Sequence, residues 1–197
     1  MQKLIYFVGV AGTGKTTVAA KVARDIPCAF LDRDTVGGRF VERFLESQGL
    51  DPEDRDSDYY KENLRDLEYD TTKDICIENL RMGQNVFMIS PFTSELKNKN
   101  YLEKLLKKAR RSKKEVDVKV IVVALNDIEE QRKRIERRGT VRDNWKLENW
   151  DQYEERVNFV PEINWDIPEE NILIFDNSGP LTKKKIKQLT DFVSKNS

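Results

Sequence analysis

The stretch Gly9-Val10-Ala11-Gly12-Thr13-Gly14-Lys15-Thr16 constrains the fold most. A glycine, four residues and then Gly-Lys-Thr is the spacing of a phosphate-binding loop. The flanks give the spacing its context. Leu4-Ile5-Tyr6-Phe7-Val8 is a short continuous apolar run that predicts a buried strand, and the residues from Thr17 to Arg24 predict a helix. Three glycines let the backbone curl so that successive N–H groups point at one phosphate. The helix that follows directs its positive end at the same place. Lys15 would reach the β- and γ-phosphates, the Thr16 hydroxyl would ligate Mg²⁺, and Thr17 would lie near the α-phosphate. The candidate nucleotide site is therefore Gly9, Ala11, Gly12, Thr13, Gly14, Lys15, Thr16 and Thr17.

Composition bounds the rest. A chain of 197 residues suits one domain, 1–197, with a sizeable core. Lys+Arg and Asp+Glu are both 35, so net charge argues for no particular partner. The charged fraction of 36% predicts a soluble protein. The first strand is too short to cross a membrane and runs into the loop, so neither a membrane span nor a signal peptide is expected. Cys28 and Cys76 form no C-x-x-C pair, which fits reduced thiols and a cytoplasmic location. The absence of histidine excludes Ser-His-Asp and Cys-His catalysis and every His-ligated metal site. A general base must then be a carboxylate or a lysine.

Along the chain, Cys28-Ala29-Phe30-Leu31 predicts a second strand ending in Asp32-Arg33-Asp34. In extended chain the two aspartates point the same way, just past a strand end, where ligands bind in parallel α/β sheets. The other reading is a polar strand end with Asp34 or Thr35 capping a helix. Residues 36–82 read as mainly helical with a break at 49–57, an excursion placed to close over a substrate. Val36, Phe40 and Phe44, with Val41 and Leu45, recur at helical spacing, and Leu64, Leu67, Thr71 and Ile75 predict one buried face. Val86 to Ile89 is a third strand, followed by Ser90 where many such proteins carry an aspartate, which turns attention to Asp32 as the metal's carboxylate. The span Leu96–Glu115 predicts one basic helix with a buried stripe of Leu102, Leu105, Leu106 and Ala109. It is either a solvated face or a nucleic-acid surface.

Val116 to Leu125 predicts a fourth strand. Asn126 with Glu129 resembles a capping box opening an arginine-rich helix that stops at Gly139. Arg138 and Arg142 flank that glycine, and arginines on a closing flap suit a transition state that spreads charge over phosphoryl oxygens. Arg134 and Arg138 are spaced to share a face. Ile172 to Phe175 predicts a fifth strand. Asn177 in the turn after it could line the nucleotide base, and Pro180 reads as the first residue of a last helix.

The loop, Asp32-x-Asp34, the arginine segment and the final strand-turn-helix together resemble the P-loop small-molecule kinases, the shikimate and gluconate kinases and the AAA-type and zeta-toxin-like ATP-binding proteins. Arg138-Gly139-Thr140-Val141-Arg142-Asp143 with Trp145-Lys146 looks like the lid of the AAA-type group. The resemblance implies a P-loop NTPase α/β fold: three α/β/α layers around a five-stranded parallel sheet in order 2-3-1-4-5. It also implies a helical substrate-side insertion at 36–82 and a lid at 138–155. It places Asp32 near Mg²⁺ and Asp34 on the substrate hydroxyl, as the candidate base, with Arg138 and Arg142 in the lid. Chains of this kind lacking the glycine-rich substrate loop after the third strand, as this one does, depart from the shikimate kinases.

The leading expectation is an ATP- and Mg²⁺-dependent phosphotransferase. Its catalytic residues would be Lys15, Asp34, Arg138 and Arg142, its metal residues Thr16 and Asp32, and its acceptor a small-molecule hydroxyl. It would act as a monomer or homodimer. A polynucleotide 5′-hydroxyl kinase, using the basic stretch, is the first alternative. A nucleotide-dependent switch or binding module is the second.

Overall fold

The apolar run at the amino terminus is buried on both faces, as a central strand of a parallel sheet must be. A computed structural model of the chain describes residues 1–195. Strand β1 (Gln2–Val8) pairs in parallel with β3 (Val86–Ile89) on one side and β4 (Val116–Ala124) on the other. Strand β2 (Ala29–Asp32) adds outside β3, and β5 (Ile172–Asp176) outside β4. The sheet order is β2-β3-β1-β4-β5, as the resemblance implies. The chain leaves β1 toward β2 and later returns past it to β4, so the loop after β1 lies at the point where strand order reverses.

Parallel neighbours need crossover connections, and here these are helical. The alternation along β1 sorts them. Leu4, Tyr6 and Val8 face one cluster with residues of α4 (Arg65–Arg81), α5 (Thr93–Lys97) and α6 (Tyr101–Lys108). Ile5 and Phe7 face the other, with α1 (Lys15–Val22) and α10 (Lys183–Ser194). A third small cluster, Val41, Leu45, Tyr60 and Leu64, holds α2 (Arg33–Ser47) to α3 (Asp58–Asn63). Three helices, α7 (Ile128–Arg138), α8 (Asn144–Glu148) and α9 (Trp150–Arg156), follow β4 at the carboxyl end of the sheet.

Several expectations need correction. The basic stretch 96–115 is two short helices, because Asn98 turns the chain between them and its side chain accepts from the Asn100 N–H at 3.1 Å. The buried stripe of Leu102, Leu105, Leu106 and Ala109 holds. On α4 the buried face is Tyr69, Thr72, Cys76, Ile77 and Leu80, while Leu67 and Thr71 are exposed. The face is set by where α4 meets the sheet, which its own near-uniform polarity does not reveal. On α2 the buried set is Val41 and Leu45; Phe40 and Phe44 are exposed. The cap of α7 is Asp127, accepting from the Glu129 N–H at 2.8 Å, while Asn126 donates to Asp176. The last helix begins at Lys183, capped by Thr182, and Pro180 lies ahead of it.

Candidate active site

The loop is held open by its neighbours. Gly9, Gly12 and Gly14 all have positive φ, at 140°, 78° and 88°. A Cβ on Gly9 would lie 2.4 Å from the Val123 carbonyl oxygen, and one on Gly14 would lie 2.7 Å from Asn177 Nδ2. From outside the loop, Gln131 Nε2 donates to the Ala11 carbonyl at 2.6 Å and Asn177 Nδ2 to the Thr13 carbonyl at 2.8 Å. These bonds turn carbonyls outward, which leaves N–H groups for the concave side. Helix α1 starts at Lys15 with no side-chain cap and no acidic residue in its first turn. Its orphan N–H groups are therefore available to an anion.

Lys15 Nζ folds back to donate to the Val10 carbonyl at 2.9 Å. Burial lowers its pKa to about 8, against the opposing pull of Asp34 and Asp32 and with the help of Arg138 and Arg33. Thr16 Oγ1 donates to Asp32 Oδ2 at 2.6 Å. One hydroxyl beside one carboxylate suits a hard, oxygen-seeking cation that completes its shell with phosphate oxygens and water. Among the described residues no cluster of three or more His, Cys, Asp or Glu offers a protein cage, so Mg²⁺ shared with a nucleotide fits the residues present.

Asp32 also caps α2, its Oδ1 accepting from the Asp34 N–H at 3.0 Å. Asp34 is thus in the first turn of a helix, not in extended chain, yet both carboxylates line the same cavity. Asp34 accepts from Arg33 at 2.7 Å and from Arg142 at 3.0 Å. Burial alone would raise its pKa; Arg33, Arg142 and Lys15 outweigh that and hold the carboxyl below its usual range.

The arginine segment closes the other wall. Helix α7 ends at Gly139, φ 61°, and a single 3₁₀ turn, Val141–Asp143, follows. The buried Asp143 organises that turn, accepting from Arg138 Nε at 2.9 Å and Thr140 Oγ1 at 2.8 Å. Three contacts tie it to the segment 34–56: Arg142 to Asp34, the Arg142 N–H to Glu53 at 3.3 Å, and Lys146 to Asp56 at 3.1 Å.

These groups share one cavity of about 770 Å³. Of the expected residues it takes in Ala11, Gly12, Gly14, Lys15, Thr16, Thr17, Asp32, Asp34, Arg138, Arg142 and Asn177. Thr13 is buried under the loop, and Gly9 faces a neighbouring cavity of about 410 Å³. Asn177 bonds to the loop itself, and its backbone carbonyl accepts from Arg134 at 2.7 Å. Sequence reasoning did not single out Arg33, Arg55, Gln131 or Tyr153, and it noted Lys146 only within the lid-like stretch. Arg33 stood in view between the two aspartates; the other four reach the site across more than 80 residues of chain or through a turn with no motif of its own. The basic stretch does not reach the cavity through its lysine-rich end. Arg81 donates to the Lys108 carbonyl at 2.6 Å, and Arg111 donates to the Leu80 carbonyl at 3.1 Å beside Gln2, at the amino ends of the strands and opposite the loop.

Several solved structures share this architecture. A candidate kinase from Chloroflexus aurantiacus superposes with a TM-score of 0.69 at 18% identity, covering 100% of this chain and 98% of its own. A gluconokinase from Sinorhizobium meliloti gives 0.54 at 15%, covering 98% and 91%. A shikimate kinase from Bacteroides thetaiotaomicron gives 0.52 at 13%, covering 98% and 99%. At these identities the likeness is one of fold. No curated protein matches the sequence. The sequence itself matches the AAA domain family across residues 4–160, which takes in the loop, the paired aspartates, the insertion and the lid, and this chain belongs to that family.

Proposed function

We propose that this chain is an ATP- and Mg²⁺-dependent phosphotransferase that moves the γ-phosphoryl group to a hydroxyl of a small molecule, acting as a single domain in the cytoplasm. The observation that carries the reading is that Asp34, ionised and held between Arg33 and Arg142, shares one cavity with Lys15 and with the Thr16–Asp32 pair. The fold shared with kinases supports it.

In this reading the loop N–H groups and the start of α1 hold the phosphates. Lys15 leaves the Val10 carbonyl to meet the β- and γ-oxygens. Thr16 and Asp32 hold Mg²⁺, which when bound supplies positive charge against those oxygens. Asp34 orients the acceptor hydroxyl and takes its proton as the new P–O bond forms and the bond from the γ-phosphorus to the β,γ-bridging oxygen breaks, ADP leaving. Its depressed pKa makes it a weak base, which suits a loose transition state where little proton transfer is needed before the phosphoryl group moves. Arg138 and Arg142 offset charge on the moving group and help exclude water.

The test is ATP consumption with Mg²⁺ against a panel of hydroxyl acceptors: nucleosides, sugars, sugar acids, aminoglycosides and short 5′-hydroxyl RNA. An acceptor that raises turnover well above the rate with water alone supports the reading. ATP binding with no stimulation by any class of acceptor counts against it and favours a nucleotide-dependent switch.

A further inference from the structure

The basic stretch that the nucleotide site leaves unused gathers charge on one edge of the molecule. Residues 97–114 hold nine lysines and arginines and one carboxylate, Glu103, although the whole chain carries 35 of each sign, so the remainder of the chain is net acidic. Burial decides which way these cations face. Leu102, Leu105, Leu106 and Ala109 pack α6 into the core, which leaves Lys104, Lys107, Lys108, Arg110 and Lys114 exposed. Lys104 shares a helix face with Lys107 and Lys108, one turn on. Other surface helices pair their cations internally: Arg132 with Glu136 and Arg134 with Glu130 on α7, Lys187 with Asp191 on α10. Among the described residues, Lys113 alone of the nine cations has a carboxylate within 4.0 Å, that of Asp166. Glu115, at the border of the stretch, is taken by the Ser112 N–H and hydroxyl at 2.9 and 2.7 Å.

The edge is also fixed in shape. Helices α4 and α6 end side by side, and each is closed by an arginine from the other: Arg81 donates to the Lys108 carbonyl at 2.6 Å, and Arg111 to the Arg81 carbonyl at 2.9 Å. Arg110 completes the α6 turn at φ 56°, in the left-handed region where glycine is the easier residue, so a guanidinium stands where helix ends usually carry no side chain. The chemistry of this surface narrows its partner. Its apolar stripe is buried and is not available to a bilayer. Among the described residues, Met1 and Met82 are the exposed large apolar side chains beside it, too few for the apolar centre of a protein interface. Tyr101, the ring on α6, is stacked on Trp165 with centroids 5.5 Å apart, so it offers no platform for a base. A rigid row of positive charge remains, and it suits a regular row of phosphates.

We propose that this edge docks the sugar–phosphate backbone of double-stranded nucleic acid without reading its bases, with Lys104, Lys107, Lys108, Arg110 and Lys114 as the phosphate contacts. The edge lies at the amino ends of the strands and the nucleotide loop at their carboxyl ends. A docked duplex and a bound nucleotide therefore occupy opposite ends of the sheet, and the proposal stands whether or not the chain is a phosphotransferase.

The experiment follows the fluorescence anisotropy of an RNA duplex and a DNA duplex, each of about 20 base pairs, across about 50–200 mM NaCl. It compares the wild type with Lys107→Gln/Lys108→Gln/Arg110→Gln and with Lys183→Gln/Lys184→Gln/Lys187→Gln, which removes the same charge from α10. Circular dichroism checks that both variants are folded. The wild type should bind at least one duplex at the lowest salt, equally well when its sequence is shuffled, and saturating Mg²⁺-ATP should leave that binding unchanged. The first variant should bind at least tenfold more weakly, with a log–log salt slope shallower by about 2–3, since each lost phosphate contact removes about 0.9. The α10 variant should stay within about twofold of the wild type and keep its slope. No duplex binding at the lowest salt overturns the proposal. So does equal weakening in both variants, which leaves only net charge, or displacement by ATP, which puts the nucleic acid at the loop. Tighter binding to phosphatidylserine vesicles than to either duplex also overturns it and names a membrane surface.

Discussion

Lys15 and Asp34 carry opposite charges in one cavity and are tuned in opposite senses by different causes. Lys15 is lowered to about 8 chiefly by burial, so in the free protein it begins to lose its charge as pH rises through that value. Nucleotide affinity should therefore fall above pH 8, and titrating ATP against wild type and Lys15→Met should show that limb in the wild type alone. The same variant should lose turnover by on the order of 10³-fold, the scale for removing a preorganised positive partner of a developing charge. Asp34 has its carboxyl held below the ordinary value of 3.8, so it stays ionised throughout the neutral range. Asp34→Asn keeps the shape and removes the proton acceptor. Transfer should drop by about 10²–10⁴-fold while the nucleotide dissociation constant moves little. Transfer at wild-type rate in that variant would take Asp34 out of the base role.

At the scale of elements, the loop and the lid respond differently to the same kind of change. Gly9→Ala puts a methyl 2.4 Å from the Val123 carbonyl, a backbone atom of the central sheet that has nowhere to go. Nucleotide binding should be lost, together with more than about 1 kcal/mol of stability in urea unfolding. Gly139→Ala, also at positive φ (61°) but with its nearest neighbour at 3.9 Å, should cost about 1–2 kcal/mol and leave nucleotide binding in place. The lid depends on one buried carboxylate. Asp143→Ala frees Arg138 and Thr140 together and takes one of two carboxylates from Lys146, so kcat should fall at least tenfold with little change in ATP affinity, measured by steady-state kinetics beside a binding titration.

For the whole molecule, the ends of the chain are tied together at the far side of the sheet from the site. Asp117, buried in β4, pairs with Lys3 of β1 at 3.2 Å and Lys119 at 3.5 Å, and Lys119 donates to the Phe192 carbonyl of α10 at 2.8 Å. Asp117→Ala removes the buried carboxylate that Lys3 and Lys119 share and that accepts from Asn171 Nδ2. A loss of about 3–5 kcal/mol is expected from urea unfolding, with kcat unchanged at temperatures where the variant is folded. The loop and all five strands follow from the order of apolar runs and turns along the chain, because a phosphate-binding loop and short buried strands are local patterns; the order of the strands in the sheet was implied by the family resemblance alone. The residues brought to the loop from elsewhere are another matter. Gln131 supports Ala11, Lys146 reaches Asp56, and Arg55 and Arg65 meet over Tyr60 and Tyr69. None has a spacing that marks it, since each partner is supplied by a different element. The inward face of α4 was likewise hidden: its residues are too evenly polar for a period to show, and only contact with the sheet selects Tyr69, Cys76 and Leu80. What the chain could state by itself was the candidate phosphate loop, because that motif is one continuous turn of backbone; what surrounds the proposed acceptor position was decided only when packing brought separate helices around one cavity.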